Sequence, residues 1–142
     1  MNTSYDIAAI GAALVDTELL VTEQDLNNLQ LEKGLMTLSD AAQQQKNLDT
    51  LREHIDTAKR ACGGSAANSM IAASLLGCKT HLTCQVAKDI DGNFFLSDLN
   101  KAGVTYNQKN QSRDGVTGTC LVLITPDAER TCLLYTSPSP RD

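Results

Sequence analysis

The chain has 142 residues, a formal net charge of −5, 42% hydrophobic residues and 20% charged residues, which suits one ordinary water-soluble domain rather than two large ones. The acidic balance, with no Lys or Arg patch, argues against nucleic-acid and acidic-membrane partners. No apolar run approaches the ~20 residues of a membrane helix, and the start, Met1 to Asp6, lacks the basic head and apolar core of a secretory signal, so a cytoplasmic location is expected.

The elements follow in chain order. Asp6 to Leu14 is an apolar run with little alternation, which predicts a strand buried on both faces, as in a parallel sheet. Asp16 stands just past its end, where ligands bind in open α/β sheets. Leu19–Val21 and Leu35–Leu38 read as short strands, with a helical turn carrying Leu26, Leu29 and Leu31 between them. Ser39 is the expected N-cap of a helix reaching about Thr57. Its apolar stripe is Leu48, Leu51 and Ile55, with Gln43, Gln44, Gln45 and Arg52 largely on the wet side.

A strand-like run from Lys59 to Cys62 delivers the chain to Gly63-Gly64, where two glycines permit a sharp turn and close approach of a ligand. Ser65 is the expected cap of the helix Ala66–Leu76, ended by Gly77 at C′. Asn68, one turn in, can point an amide back to the same spot. Thr80–Val86 alternates, with Leu82, Cys84 and Val86 on one face. Asp91–Ala102 reads as a helix with a Phe95, Leu99 and Ala102 stripe, ended by Gly103. Gly118–Thr125 is a strong strand, and Pro126-Asp127 opens a turn. Alternating strands and helices argue for an α/β fold. The extra short strands before Asp40 and around Lys59 and Tyr106 suggest a small second layer.

The cysteines, Cys62, Cys78, Cys84, Cys120 and Cys132, form no C-x-x-C and read as reduced, mostly buried thiols. His54 and His81 are isolated and read as surface positions. Asp89 and Asp91 shape a turn rather than hold a metal. The Gly-Gly turn is not a phosphate cradle of the usual kinds, since neither G-x-x-x-x-G-K-[ST] nor G-x-G-x-x-G occurs. Cys132 to Asp142, Cys-Leu-Leu-Tyr-Thr-Ser-Pro-Ser-Pro-Arg-Asp, matches the translation of a sequencing adapter. Residues 132–142 are therefore expected to be a non-native tail, with genuine sequence in 1–131.

Cys62-Gly63-Gly64-Ser65-Ala66-Ala67-Asn68 resembles the first motif of the ribokinase-like (PfkB) carbohydrate and nucleoside kinases. The similarity continues upstream in Gly11–Asp16 and in the lid-like strand Lys33–Leu38. Downstream it runs through Lys88–Gly92, Gly115–Cys120 and Asp127–Thr131, and the adenosine-kinase-like branch matches best. Ala12, Met70 and Ala87 depart from the usual family residues. The resemblance implies a ribokinase-like α/β fold: a Rossmann-like three-layer core with a small β-sheet lid, here its N-terminal portion. It implies that Asp16 binds sugar hydroxyls, that Gly63 and Gly64 offer backbone to the sugar, that Asn68 adds an amide, and that Thr119 and Cys120 lie near the nucleoside. From the residues alone, the alternatives are a strand-end turn or cap for Asp16, a bare turn for the glycines, helix-start capping for Asn68, and ordinary strand packing for Thr119 and Cys120, the last as well supported as contact.

The family's second motif, Asp-Thr-x-Gly-Ala-Gly-Asp, with its general-base Asp, does not occur in the chain. The resemblance therefore implies ATP and Mg2+ as cofactors of a longer parent, and a nucleoside or sugar as the small-molecule partner of this part. It also implies a monomer or a homodimer through the lid. A nucleoside- or sugar-binding module without transfer chemistry and a dimerising structural protein are the alternatives.

Overall fold

In the computed structural model, residues 4–107, 111–112 and 115–136 are described. The strands are β1 (Ile7–Ile10), β2 (Leu14–Leu20), β3 (Met36–Leu38), β4 (Lys59–Gly63), β5 (Thr80–Thr83), β6 (Val86–Ala87), β7 (Thr105–Tyr106), β8 (Gln111–Ser112), β9 (Gly118–Ile124) and β10 (Arg130–Tyr135). The helices are α1 (Glu23–Asn28), α2 (Ala41–Thr50), α3 (Ser65–Leu75) and α4 (Ile90–Lys101), with a 3-10 turn at Arg52–Thr57. The chain divides into two compact units, the first from the described parts of Met1–Val15 and Ala61–Gly118, the second from Asp16–Arg60 and Thr119–Tyr135.

The first unit is built on a parallel sheet in the order β1-β5-β7, with Ile7 opposite Thr80 and His81 opposite Thr105. A second small parallel pair joins β6 to β8. Helix α3 packs on β1 and β5, and α4 on β6 and β7. The small residues of α3 allow a close approach: a Cβ on Gly11 would fall 2.5 Å from the Ala66 Cβ. Met70, Leu82, Phe95, Leu99 and Val104 form the centre of this core. Each large side chain so buried contributes about 1.5–3 kcal/mol of transfer free energy.

The second unit holds a sheet ordered β3-β10-β9-β2-β4. Strand β10 runs antiparallel to β9, with Leu133 opposite Leu121, and parallel to β3, with Cys132 opposite Met36. One face packs Leu19, Leu121, Leu123 and Leu133 against Leu26 of α1 and against Leu51. Thr22 opens α1 with a reciprocal capping box to Asp25. Cys132–Tyr135, from the adapter-like tail, form the last four residues of β10. Their alternation, with Thr131 and Leu133 turned inward and buried, suits any strand beside β9, so the pairing does not depend on where the segment came from.

Several expectations need correction. The run Asp6–Leu14 is not one strand buried on both faces. It breaks at Gly11–Ala13 into β1 and the start of β2, and Ile7 and Ile10 of β1 are exposed, because what covers the faces of a strand, not its apolarity, decides its burial. Asp16 therefore lies within β2, not past a strand end. The cap of α2 is Asp40, whose carboxylate accepts from the Gln43 N–H at 2.7 Å, not Ser39. That helix stops at Thr50 and gives way to the 3-10 turn, leaving Ile55 exposed. Gln44 is buried rather than wet. The strand at Tyr106 joins the parallel sheet, and the second sheet comprises β2, β3, β4, β9 and β10.

Candidate functional site

In the first unit, β4 ends at Gly63 and Gly64 turns the chain into α3. Gly64 has φ 94° and ψ 138°, a left-handed backbone that costs an L side chain strain. A Cβ there would also fall 2.9 Å from the Ala12 carbonyl oxygen. Gly64 itself is the N-cap, and the helix start has no side-chain cap. Ser65 is thus the first helical residue rather than the expected cap. The Asn68 N–H donates to the Gly64 carbonyl at 2.9 Å, and the Asn68 side chain is exposed. Backbone donors of an uncapped first turn suit a hydroxyl or anionic oxygen.

The approach to this turn is anchored from α4. The Cys62 N–H donates to Asp98 Oδ2 at 3.0 Å, and the Cys62 Sγ donates to the Phe95 carbonyl at 3.1 Å. Burial, then the nearby Asp98 charge, pushes the Cys62 thiol up to about 12. It is a neutral packing group, not a nucleophile.

Asp89 ties the same unit together. It caps α4 through the Gly92 N–H at 2.7 Å, and accepts from the Thr117 N–H at 2.8 Å and the Thr117 hydroxyl at 2.7 Å. The Thr117 hydroxyl accepts in turn from the Ala87 N–H at 3.0 Å. Burial pushes the Asp89 carboxyl up, but the Thr117 and Gly92 hydrogen bonds outweigh it, and the net shift is downward. Both carboxylate oxygens are used within the fold, as a turn-shaping residue requires.

In the second unit, strand alternation decides which side chains share a face. Leu19 of β2 points into this unit's core, so Asp16 and Glu18, at odd offsets from it, point away. On β9, Thr119, Leu121 and Leu123 face the α2 side, and Cys120 faces the other. The sheet order sets β2 beside β9, and Asp16 acts electrostatically on Cys120. Partial burial, then the Glu18 charge, raises the Asp16 carboxyl above its usual range. Burial, then the Cys132 thiol, then Asp16, pushes the Cys120 thiol up to about 12. This face thus pairs a carboxylate acceptor with an apolar, uncharged thiol.

Of the six residues singled out in the sequence, Asp16 and Cys120 share this face. Thr119 is turned to the opposite one, where its hydroxyl donates to the Gln44 Oε1. Gly63, Gly64 and Asn68 belong to the first unit. Gln44 was missed, although a signal was available: it stands four residues before Leu48 and seven before Leu51, on the apolar stripe rather than beside it.

The chain matches the model of the pfkB family of carbohydrate kinases over residues 34–140. It belongs to that family, and its fold is ribokinase-like α/β. Mouse ribokinase is 30% identical over 67 residues, 47% of this chain and 21% of that protein. A probable sugar kinase from Rhizobium etli CFN 42 is 30% identical with a TM-score of 0.76, covering 92% of this chain and 38% of that one. The adenosine kinase of Sinorhizobium meliloti is 28% identical with a TM-score of 0.77, covering 94% and 39%. The chain thus spans about a fifth of the mouse protein and about two fifths of the two solved structures.

The family uses ATP. Among the described residues, no group of three or more His, Cys, Asp and Glu side chains could hold a metal ion. Asp89, a carboxylate beside a helix start, already spends its oxygens on Gly92 and Thr117.

Proposed function

We propose that the chain is the acceptor-binding part of a cytoplasmic kinase that phosphorylates a primary hydroxyl of an adenosine-like nucleoside or a sugar. In this reading Asp16 accepts hydrogen bonds from two vicinal hydroxyls, for which a carboxylate's paired oxygens are suited. Gly63 and Gly64 offer backbone to the sugar, Asn68 adds its amide, and Cys120 lies against the base with Thr119 behind it. ATP, Mg2+ and the general-base Asp are assigned to a longer protein, so the 142-residue chain by itself is inactive. It acts as a monomer or as a homodimer through β3, whose Met36 and Leu38 are 66% and 73% exposed.

The observation that supports this reading best is Gly64. Its left-handed turn, pressed on the Ala12 carbonyl at an uncapped helix start, falls inside the span matched to the kinase family.

Calorimetric titration of the chain with adenosine and with ribose tests it. Binding is expected, and Asp16→Ala is expected to cost about 1.5–3 kcal/mol of it, the range for hydrogen bonds to a charged group. No binding of either compound, or binding indifferent to Asp16, would overturn the reading. Sequencing the gene beyond Thr131 separates the alternatives. A Gly-Ala-Gly-Asp run supports the kinase, whereas a natural stop supports a binding module without transfer chemistry. ATP turnover by the purified chain would refute its inactivity.

A further inference from the structure

Gln44 is 4% exposed, and its amide reaches only the β9–β10 pair among its recorded partners. Nε2 donates to the Leu133 carbonyl at 2.8 Å and to the Thr119 carbonyl at 3.3 Å, while Oε1 accepts from the Thr119 hydroxyl. The Thr119 carbonyl belongs to the peptide plane that Thr119 shares with Cys120, and Leu133 immediately precedes Leu134, the partner of Cys120 across the ladder. One side chain of α2 thus holds the backbone on both sides of the Cys120–Leu134 pair from the face opposite Asp16. Its β10 contact is to main chain, so it does not depend on which side chain stands at 133.

A buried amide is a costly way to fill a core position, since leaving either end unpaired costs the group's desolvation. Leu48 and Leu51, on the same stripe, fill theirs with hydrocarbon. The amide adds a fixed orientation of the Thr119–Cys120 peptide that Leu cannot supply. We infer that Gln44 is a positioning residue for the acceptor face, setting how β9 presents Cys120 beside Asp16. The inference rests on the proposed function for its ligand, but not for its geometry.

Two readouts on the 142-residue chain test it: adenosine affinity, and the alkylation rate of Cys120 followed by peptide mass mapping. Gln44→Met keeps the length and removes the amide, and Gln44→Glu keeps the shape but turns a carboxylate oxygen toward the Leu133 and Thr119 carbonyls. Gln45→Leu, on the exposed side of α2, is the control. Gln44→Met is expected to weaken adenosine binding about tenfold, the scale of lost hydrogen bonds, and to speed Cys120 alkylation severalfold. Gln44→Glu is expected to be affected at least as strongly as Gln44→Met, and the control to match the parent. A lower melting temperature with unchanged alkylation of Cys120, or with Cys62 and Cys84 alkylated faster in the same proportion, would overturn the inference, because a merely structural residue gives those results. If the parent binds no adenosine, the functional reading fails, and the alkylation rates still decide the positioning role. Should Gln44→Met not fold, Thr119→Val, which removes the hydroxyl that donates to Gln44, carries the same comparison.

Discussion

Gly64 carries two separate demands, a left-handed backbone and a carbonyl within contact distance, and a neighbouring glycine separates them. Gly77, at the end of α3, has φ +96° but nothing within 4 Å of a would-be Cβ, whereas Gly64 has φ +94° and the Ala12 oxygen at 2.9 Å. Gly77→Ala is expected to cost about 1–2 kcal/mol, the strain of one left-handed L residue. Gly64→Ala is expected to cost that plus about 1–3 kcal/mol for forcing Ala12 aside. Urea unfolding of both variants checks this, and equal losses would mean that the close approach carries no weight. The sequence makes Gly64 conspicuous, because paired glycines ahead of an alanine run have few other uses. Gln44 is inconspicuous for the opposite reason. It sits in a Gln-Gln-Gln run, and only the helix phase set by Leu48 and Leu51 distinguishes it from Gln43 and Gln45.

At the scale of elements, helix ends and the central strand were legible, and their partners were not. Gly77 and Gly103 end α3 and α4 as their letters suggest, and Gly118–Ile124 forms β9 with its apolar residues alternating. The Asp6–Leu14 run misled because continuous apolarity signals burial without saying what covers a strand's faces. Asp89 was read as shaping a turn, but its link to Thr117, 28 residues on, has no local signature. That link makes a prediction at this scale. Asp89→Ala removes an N-cap and strands the Thr117 hydroxyl, which has no exposure, for an expected loss of about 2–4 kcal/mol. The folded-state carboxyl is shifted down, so its stabilisation is full above the unfolded value near 3.8 and is lost as pH falls through the lower folded value. The gap in stability between parent and Asp89→Asn is therefore expected to be constant from pH 7 to 5 and to shrink below pH 4. Chemical denaturation across that range tests it, and a gap that grows on acidification would refute the role given to the charge.

For the whole molecule, the apolar surface that stays in water matters more than any single contact. In the first unit, β1 pairs only with β5 among the described residues, and Ile7 and Ile10 are 41% and 57% exposed. Leu75 and Leu76, at the end of α3, are 77% and 86% exposed. Scattered apolar residues are ordinary on a protein surface, but a strand with an unpaired edge and exposed isoleucines is a template for association. The family members with solved structures are more than twice as long as the part matched here, so family membership does not require these 142 residues to be stable alone. We therefore expect the isolated chain to bind a hydrophobic dye and to self-associate at micromolar concentration. Ile10→Lys, which puts a charge on the exposed face of the edge strand, is expected to reduce association without lowering the melting temperature, since its side chain packs in neither core. Sedimentation and dye titration of the two chains test this. A monomeric parent that binds no dye would show that the unpaired edge of β1 does not drive association.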